Sequence, residues 1–161
     1  MGALLAFELA REFRQRKWPL PNHLFVSGYR APQLPDLTLP IHHLPETNFI
    51  EALQKFQGMP PSLLHSPALL TPYLPQLRAD FKLLETYIYT NEEPLDCPIT
   101  AFRGTLDSIV SSAALSAWQN QTSHDFQQQT FPGDHFFLQT DPQSLIDAIS
   151  AKLSTATLPV S

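Results

Sequence analysis

The sequence predicts an α/β fold built on a mostly parallel sheet. Two observations lead to that class. Short apolar runs closed by glycine, HLFVSG over 23–28 and PITAFRG over 98–104, have the composition of buried strands. Stretches with apolar residues at helical spacing separate and follow them, and strands alternating with helices imply parallel pairing through right-handed crossovers.

Each element has its own signal. Over 2–16, Leu4, Leu5, Phe7, Leu9 and Phe13 fall on one helical pattern, and Arg11, Arg14 and Arg16 gather toward the end that the macrodipole makes favourable for cations. Pro19 and Pro21 are expected to end this helix. No capping residue precedes it, which suggests a chain that starts inside a larger fold. The run 23–28 is the first strand, and 30–45 is proline-rich and extended. A helix is predicted over 47–57 from Phe49, Ile50, Leu53 and Phe56, with Gly58 stopping it. Residues 63–89 read as helical, interrupted by Pro67, Pro72 and Pro75 and cleanest over 76–89. Broken helices between two strands are what an insertion or lid looks like, and 46–89 is assigned as one within a single domain spanning 1–161. The second strand, 98–104, leads into a loop over 105–109 and a short helix over 111–119. A weakly alternating third strand over 125–131 is followed by a loop over 132–136. The last helix covers 141–153, with Asp141 as N-cap and Pro142 at its first position. No internal repeat is present.

Composition removes several function classes. Hydrophobic residues make up 43% of 161, enough for a core, so disorder is excluded. A net charge of −5 gives no support to nucleic-acid binding. No apolar run approaches the roughly 20 residues that span a bilayer. The single cysteine, Cys97, excludes an intramolecular disulfide and fits a reducing cytoplasm, and no metal-ligand spacing is present.

Two loops carry the chemistry-bearing residues. Asp107 follows the second strand and His135 the third, and in open α/β sheets the carboxyl ends of strands are where catalytic groups gather. An Asp followed by a His fits the hydrolase order Ser…Asp…His. The serine would lie upstream on a strand-to-helix turn of the form G-x-S-x-G, with Met1 and Gly2 as its last two positions. Asp96, Asp125 and Asp134 are rivals of Asp107, but its place after a strand favours it, and Asp134 reads as a turn residue. His23, His42, His43, His65 and His124 show no partner pattern and read as structural. Cys97 precedes a proline at a strand start with no helix N-terminus to activate it. Ser27 ends a strand without the G-x-S-x-G context. The basic set Arg11, Arg14, Arg16 and Lys17 reads as a solvated helix end rather than a docking surface.

Taken with other segments, these residues carry a specific resemblance. ALLAFELAR after Gly2 is similar to the A-x-x-A-F-E-L-A-R that follows a G-H-S-M-G elbow in type II thioesterases of nonribosomal peptide and polyketide synthases. FVSGYRAP, IHHL, LRADFKLLETY, PLDCPITAFRGTLD and FPGDHFFL resemble further segments of that family in the same order, from residue 1 to about residue 150. The resemblance implies a truncated α/β-hydrolase fold, the C-terminal half of its sheet with a helical lid insertion. It implies that the nucleophilic serine would precede Met1, that the Met1 backbone N–H would serve the oxyanion hole, and that Asp107 would orient His135 as the general base. Phe56, Met59, Leu63, Leu70 and Phe81 would line the lid side of the acyl site. The substrate would be a thioester on the phosphopantetheine arm of an acyl or peptidyl carrier protein, and the task editing of misloaded carriers. No cofactor or metal is implied, nor a nucleic-acid or membrane partner. A cytoplasmic monomer is expected, inactive as the 161 residues alone. A medium-chain acyl-carrier-protein hydrolase of fatty-acid synthesis and a non-catalytic carrier-binding remnant are the alternative readings.

Overall fold

Three apolar runs form one sheet: β1 (Leu24–Ser27), β2 (Ile99–Gly104) and β3 (Phe126–Phe131). The order is β1-β2-β3 and both pairings are parallel, with Leu24 opposite Ile99 and Ile99 opposite Phe126. The central strand is buried from Ile99 to Phe102, as a strand covered on both faces must be. β3 carries Gln127, Gln128 and Gln129, so its burial is only partial. The computed structural model describes residues 1–55 and 67–156. These form two compact units, one of Met1–Leu34 with the part from Asn91 onward, the other Pro35–Thr90.

In the first unit, α1 (Gly2–Gln15) buries Ala3, Leu4, Phe7 and Ala10. Phe7 meets the buried Trp118 edge-on, with ring centroids 5.3 Å apart. Each such buried side chain contributes about 1.5–3 kcal/mol by removal from water. α1 ends within one residue of the predicted residue 16, and the chain leaves it through a left-handed residue that is not glycine. Lys17 has φ +56°, its N–H donates to Arg14 O, and Trp18 N–H donates to Phe13 O at 2.8 Å. That is a Schellman motif, and the Trp18 and Phe13 rings supply its apolar contact at 5.5 Å.

The basic end of α1 also corrects its reading as a solvated face. Arg11 is only 3% exposed. It pairs with Glu8 at 2.9 Å and with Glu92 at 2.6 Å, and Arg14 reaches the other Glu92 oxygen at 2.5 Å. Arg14 also donates to the carbonyls of Glu93 and Pro94. Burial by itself would lower the Arg11 pKa; the hydrogen bond that Arg11 donates to Glu92 and the charges of Glu8 and Glu92 outweigh it, and the pKa is raised. The partner stands some eighty residues away, so a helical pattern could not reveal it. Arg16, paired with Glu12, and Lys17 keep the expected exposed surroundings.

α5 (Ser112–Ser116) starts where Ser111 Oγ accepts from Ala114 N–H, and a 3₁₀ turn (Ala117–Gln121) extends it. A short helix that the sequence reading did not include, α6 (Phe137–Thr140), follows β3. The N-cap of α7 (Pro142–Ala156) is Asp141, as predicted: its Oδ1 accepts from Ser144 N–H at 3.1 Å. Leu145, Ala148 and Ile149 of α7 pack on Phe102, Phe131 and Phe137.

The second unit holds α2 (Glu46–Lys55), α3 (Pro67–Leu70), a 3₁₀ turn (Thr71–Tyr73) and α4 (Leu74–Glu85). Its core is Ile41, Phe49, Leu53, Leu70 and Leu74, with Phe81 packed against it. The Glu85 carboxylate accepts from Ile41 N–H, His42 N–H and His42 Nδ1, while Arg78 lies 4.3 Å over the Phe49 ring and donates to the carbonyls of His42 and Leu44. α4 stops four residues before the predicted residue 89. Thr86 N–H and Oγ1 both donate to Lys82 O, and 87–90 is a run of β-branched and aromatic residues that helices disfavour.

Candidate active site

Parallel neighbours β2 and β3 end side by side, with Gly104 opposite Phe131, so the loops that leave them begin together. Those loops are then tied to each other. Thr105 N–H donates to Phe131 O and Leu106 N–H to Gly133 O, each at 2.8 Å. The tie requires close backbone approach. A Cβ on Gly104 would stand 2.0 Å from Asp134 O and 2.4 Å from Gly133 O, so only glycine fits there.

Asp107 then turns the chain toward α5. Its Oδ1 accepts from Ile109 N–H at 2.8 Å and Val110 N–H at 2.9 Å, an Asx-type turn that fixes the carboxylate through its own backbone. Its Oδ2 stands 2.9 Å from His135 Nδ1. The Asp107 side chain is fully buried and that of His135 is 21% exposed. Two backbone N–H groups already donate to this carboxylate, and a carboxylate only accepts, so the bond from His135 is made by the tautomer with the proton on Nδ1 and the lone pair on Nε2. The first strand supplies the floor. Gly28, at φ +57°, follows β1, and a Cβ there would lie 3.1 Å from His135 Cε1. Three successive strand ends therefore contribute Gly28, Asp107 and His135 to one place. A buried acid, an imidazole held through Nδ1 and an Nε2 with no hydrogen bond among the described residues form an arrangement that can activate a nucleophile.

A thioesterase-domain family model matches residues 1–153. The chain belongs to the thioesterase family. Among its relatives, the gramicidin S biosynthesis protein GrsT of Aneurinibacillus migulanus is 43% identical over 159 residues, covering 99% of this chain and 62% of that protein. The solved structure of the thioesterase RedJ from the prodiginine pathway of Streptomyces coelicolor superimposes with a TM-score of 0.80 at 38% identity, over 96% of this chain and 56% of RedJ. The type II thioesterase YbtT of the yersiniabactin NRPS/PKS pathway gives 0.84 at 31% identity, over 98% and 64%. The chain thus spans less than two thirds of the length of these relatives.

Within this thioesterase domain, Asp107 and His135 are brought together, and the rival acids lie elsewhere. Asp96 meets His124 at 2.7 Å on the surface, and Asp134 Oδ1 accepts from Phe136 N–H at 2.7 Å as a turn residue. Met1 heads α1, where its carbonyl accepts from Leu4 and Leu5 N–H. Leu70 is fully buried in the second unit's core, and Phe81 packs edge-on to Phe49 there. Phe56, Met59 and Leu63 lie outside the described residues. Cys97 is buried, and burial together with the Asp96 charge raises its thiol pKa, opposite to what a nucleophile needs. Ser27 Oγ is buried and makes no hydrogen bond to His135. Sequence reasoning missed the supporting glycines. Gly28 and Gly104 each close a strand run, and a glycine placed just before a candidate catalytic loop was the available signal.

Proposed function

We propose that this domain serves a serine thioesterase that removes acyl groups from the phosphopantetheine arms of acyl or peptidyl carrier proteins, as an editing enzyme of nonribosomal peptide or polyketide synthesis. The observation that carries the reading is the 2.9 Å contact between His135 Nδ1 and the buried Asp107. The biosynthetic names of GrsT, RedJ and YbtT support the substrate class. In this mechanism the serine of a G-x-S-x-G elbow ahead of Met1 attacks the thioester carbonyl. His135 Nε2 takes the hydroxyl proton, and the tetrahedral oxyanion is held by backbone N–H groups, that of Met1 among them, each worth about 3–4 kcal/mol. Collapse breaks the C–S bond, and the imidazolium returns the proton to the departing thiolate. His135 then takes a proton from water, which attacks the acyl-serine ester and frees the acid and the serine. Asp107 keeps the Nδ1–H tautomer and stabilises the imidazolium in both halves. No step calls for a cofactor or metal. The role of lid for the acyl chain falls to residues 46–89, with Phe56, Met59, Leu63 and Phe81 as its apolar set; Leu70, buried in the core of its own unit, supports that set from within. The setting is a cytoplasmic monomer acting on carrier domains.

The test is hydrolysis of acyl-pantetheine thioesters and acyl-carrier proteins of graded chain length. Residues 1–161 alone are expected to be inactive, and residues 1–161 joined to an upstream segment ending in G-x-S to turn over. In that joined protein Asp107→Asn should lower kcat by about 10⁴ while leaving the fold intact. An Asp107→Asn protein with parental kcat sinks the assignment. Fast turnover of free medium-chain acyl carriers with none on peptidyl carriers would move the substrate to fatty-acid synthesis.

A further inference from the structure

We infer that Arg103 is a positioning residue for the Asp107–His135 pair, holding the Asp107 turn through the backbone rather than through the carboxylate. The inference rests on reading that pair as catalytic. Arg103 occupies the central strand, on the same side as Ile99 and Ala101, both fully buried. Burial alone would select an aliphatic residue at the next position of that row, and a guanidinium there is costly unless it is bonded. Arg103 Nη2 donates to Asp107 O at 3.0 Å. Its Nε is buried and has no hydrogen-bond partner among the described residues. The side chain is therefore not placed to satisfy itself; the bond it does make falls on one peptide.

That peptide joins residues 107 and 108. Its plane sets ψ of Asp107 and starts the turn whose next two N–H groups, from Ile109 and Val110, grip Oδ1. Leu106 N–H before the turn is held to Gly133 O at 2.8 Å, but the bond of Asp107 itself back to the strand is long, its N–H reaching Gly104 O only at 3.3 Å. A planar guanidinium held by a central strand anchors the one peptide of the turn that these bonds leave loose. With the carbonyl held, Oδ2 remains aimed at Nδ1; released, the turn pivots on its long bond and the aim is lost. Groups that orient a catalytic acid in this way act on geometry at the sub-ångström level.

The test uses the 161-residue chain with ¹⁵N-labelled histidine, and reads the downfield Nδ1–H proton of His135, a signal that needs no turnover. Asp107→Asn is the control and must abolish it. Survival of the signal in Asp107→Asn would refute the catalytic pair itself, separately from the role of Arg103. The expected result is that Arg103→Met loses the signal to exchange with water, while Arg103→Lys, which keeps a donor for the carbonyl, retains it. An Arg103→Met signal equal to the parent's overturns the inference, as does its loss in both variants, since side-chain shape rather than the donated bond would then matter. If Arg103→Met does not fold, the hydrogen-bond scalar coupling between the Arg103 side-chain nitrogen and the Asp107 carbonyl carbon in the parent chain decides: its presence supports the role and its absence overturns it.

Discussion

Single residues in this domain divide by what their environment permits. Asp107 is held by three N–H donors from two loops, and its identity as the acid partner was legible because it follows a strand and precedes the histidine in chain order. The glycines were less legible, because glycine marks a strand end whether or not anything approaches it. Gly104 is the sharper case. A methyl there would lie 2.0 Å from a backbone carbonyl of the His135 loop, and backbone cannot swing aside as a flexible side chain does. Gly104→Ala should destabilise the chain by about 3 kcal/mol, the upper range for overpacking, and should weaken the Asp107–His135 contact. Chemical denaturation gives the first quantity and the downfield imidazole proton the second; an alanine variant that matches the parent in both would show that the loops separate easily.

At the scale of elements, periodicity located α1, α2, α7 and all three strands, because each has a buried side whose spacing is written in consecutive residues. Ends were harder. Asp141 and Pro142 marked the start of α7 because capping is local chemistry. α1, predicted over 2–16 from the prolines that follow it, ends at Gln15 in a Schellman motif with lysine in the left-handed position, where glycine is the usual residue, so the motif itself was not legible. A Cβ in this conformation is disfavoured, and Lys17→Gly should stabilise the chain by about 0.5–1 kcal/mol, net of the greater freedom glycine has when unfolded. A thermal unfolding midpoint that falls on this substitution would mean that the lysine side chain makes a contact outweighing the strain. α4 was overextended to residue 89 because apolar spacing continued past Glu85 while the residue types had already turned against helix.

On the scale of the whole molecule, the decisive contacts join parts distant in the chain. Glu92 binds both Arg11 and Arg14, fastening α1 to the segment that enters the central strand. The hydrogen bond from Arg11 lowers the Glu92 pKa below its ordinary 4.5, with Arg14 adding to it and burial opposing. A carboxylate depressed in the folded state stabilises the fold above the unfolded pKa, and that contribution is lost as pH falls through the folded value. Glu92→Gln should therefore lower stability near neutral pH, and its difference from the parent should shrink below 4.5, where protonation removes from the parent what the substitution already removed. Urea midpoints at about pH 7 and about pH 3 test this, and a constant difference between them would refute the assignment. By itself the sequence determined the α/β class, the parallel strands, the Asp-then-His order and the family, because these follow from local periodicity, from positions after strands and from segments in fixed order. Tertiary structure alone decided that Arg11 is buried against Glu92, that Gly104 admits no side chain, that Leu70 lies in the core of its own unit and that Arg103 grips the Asp107 turn. Each of those depends on which distant segments become neighbours, and a one-dimensional pattern does not encode the separation between atoms that folding brings together.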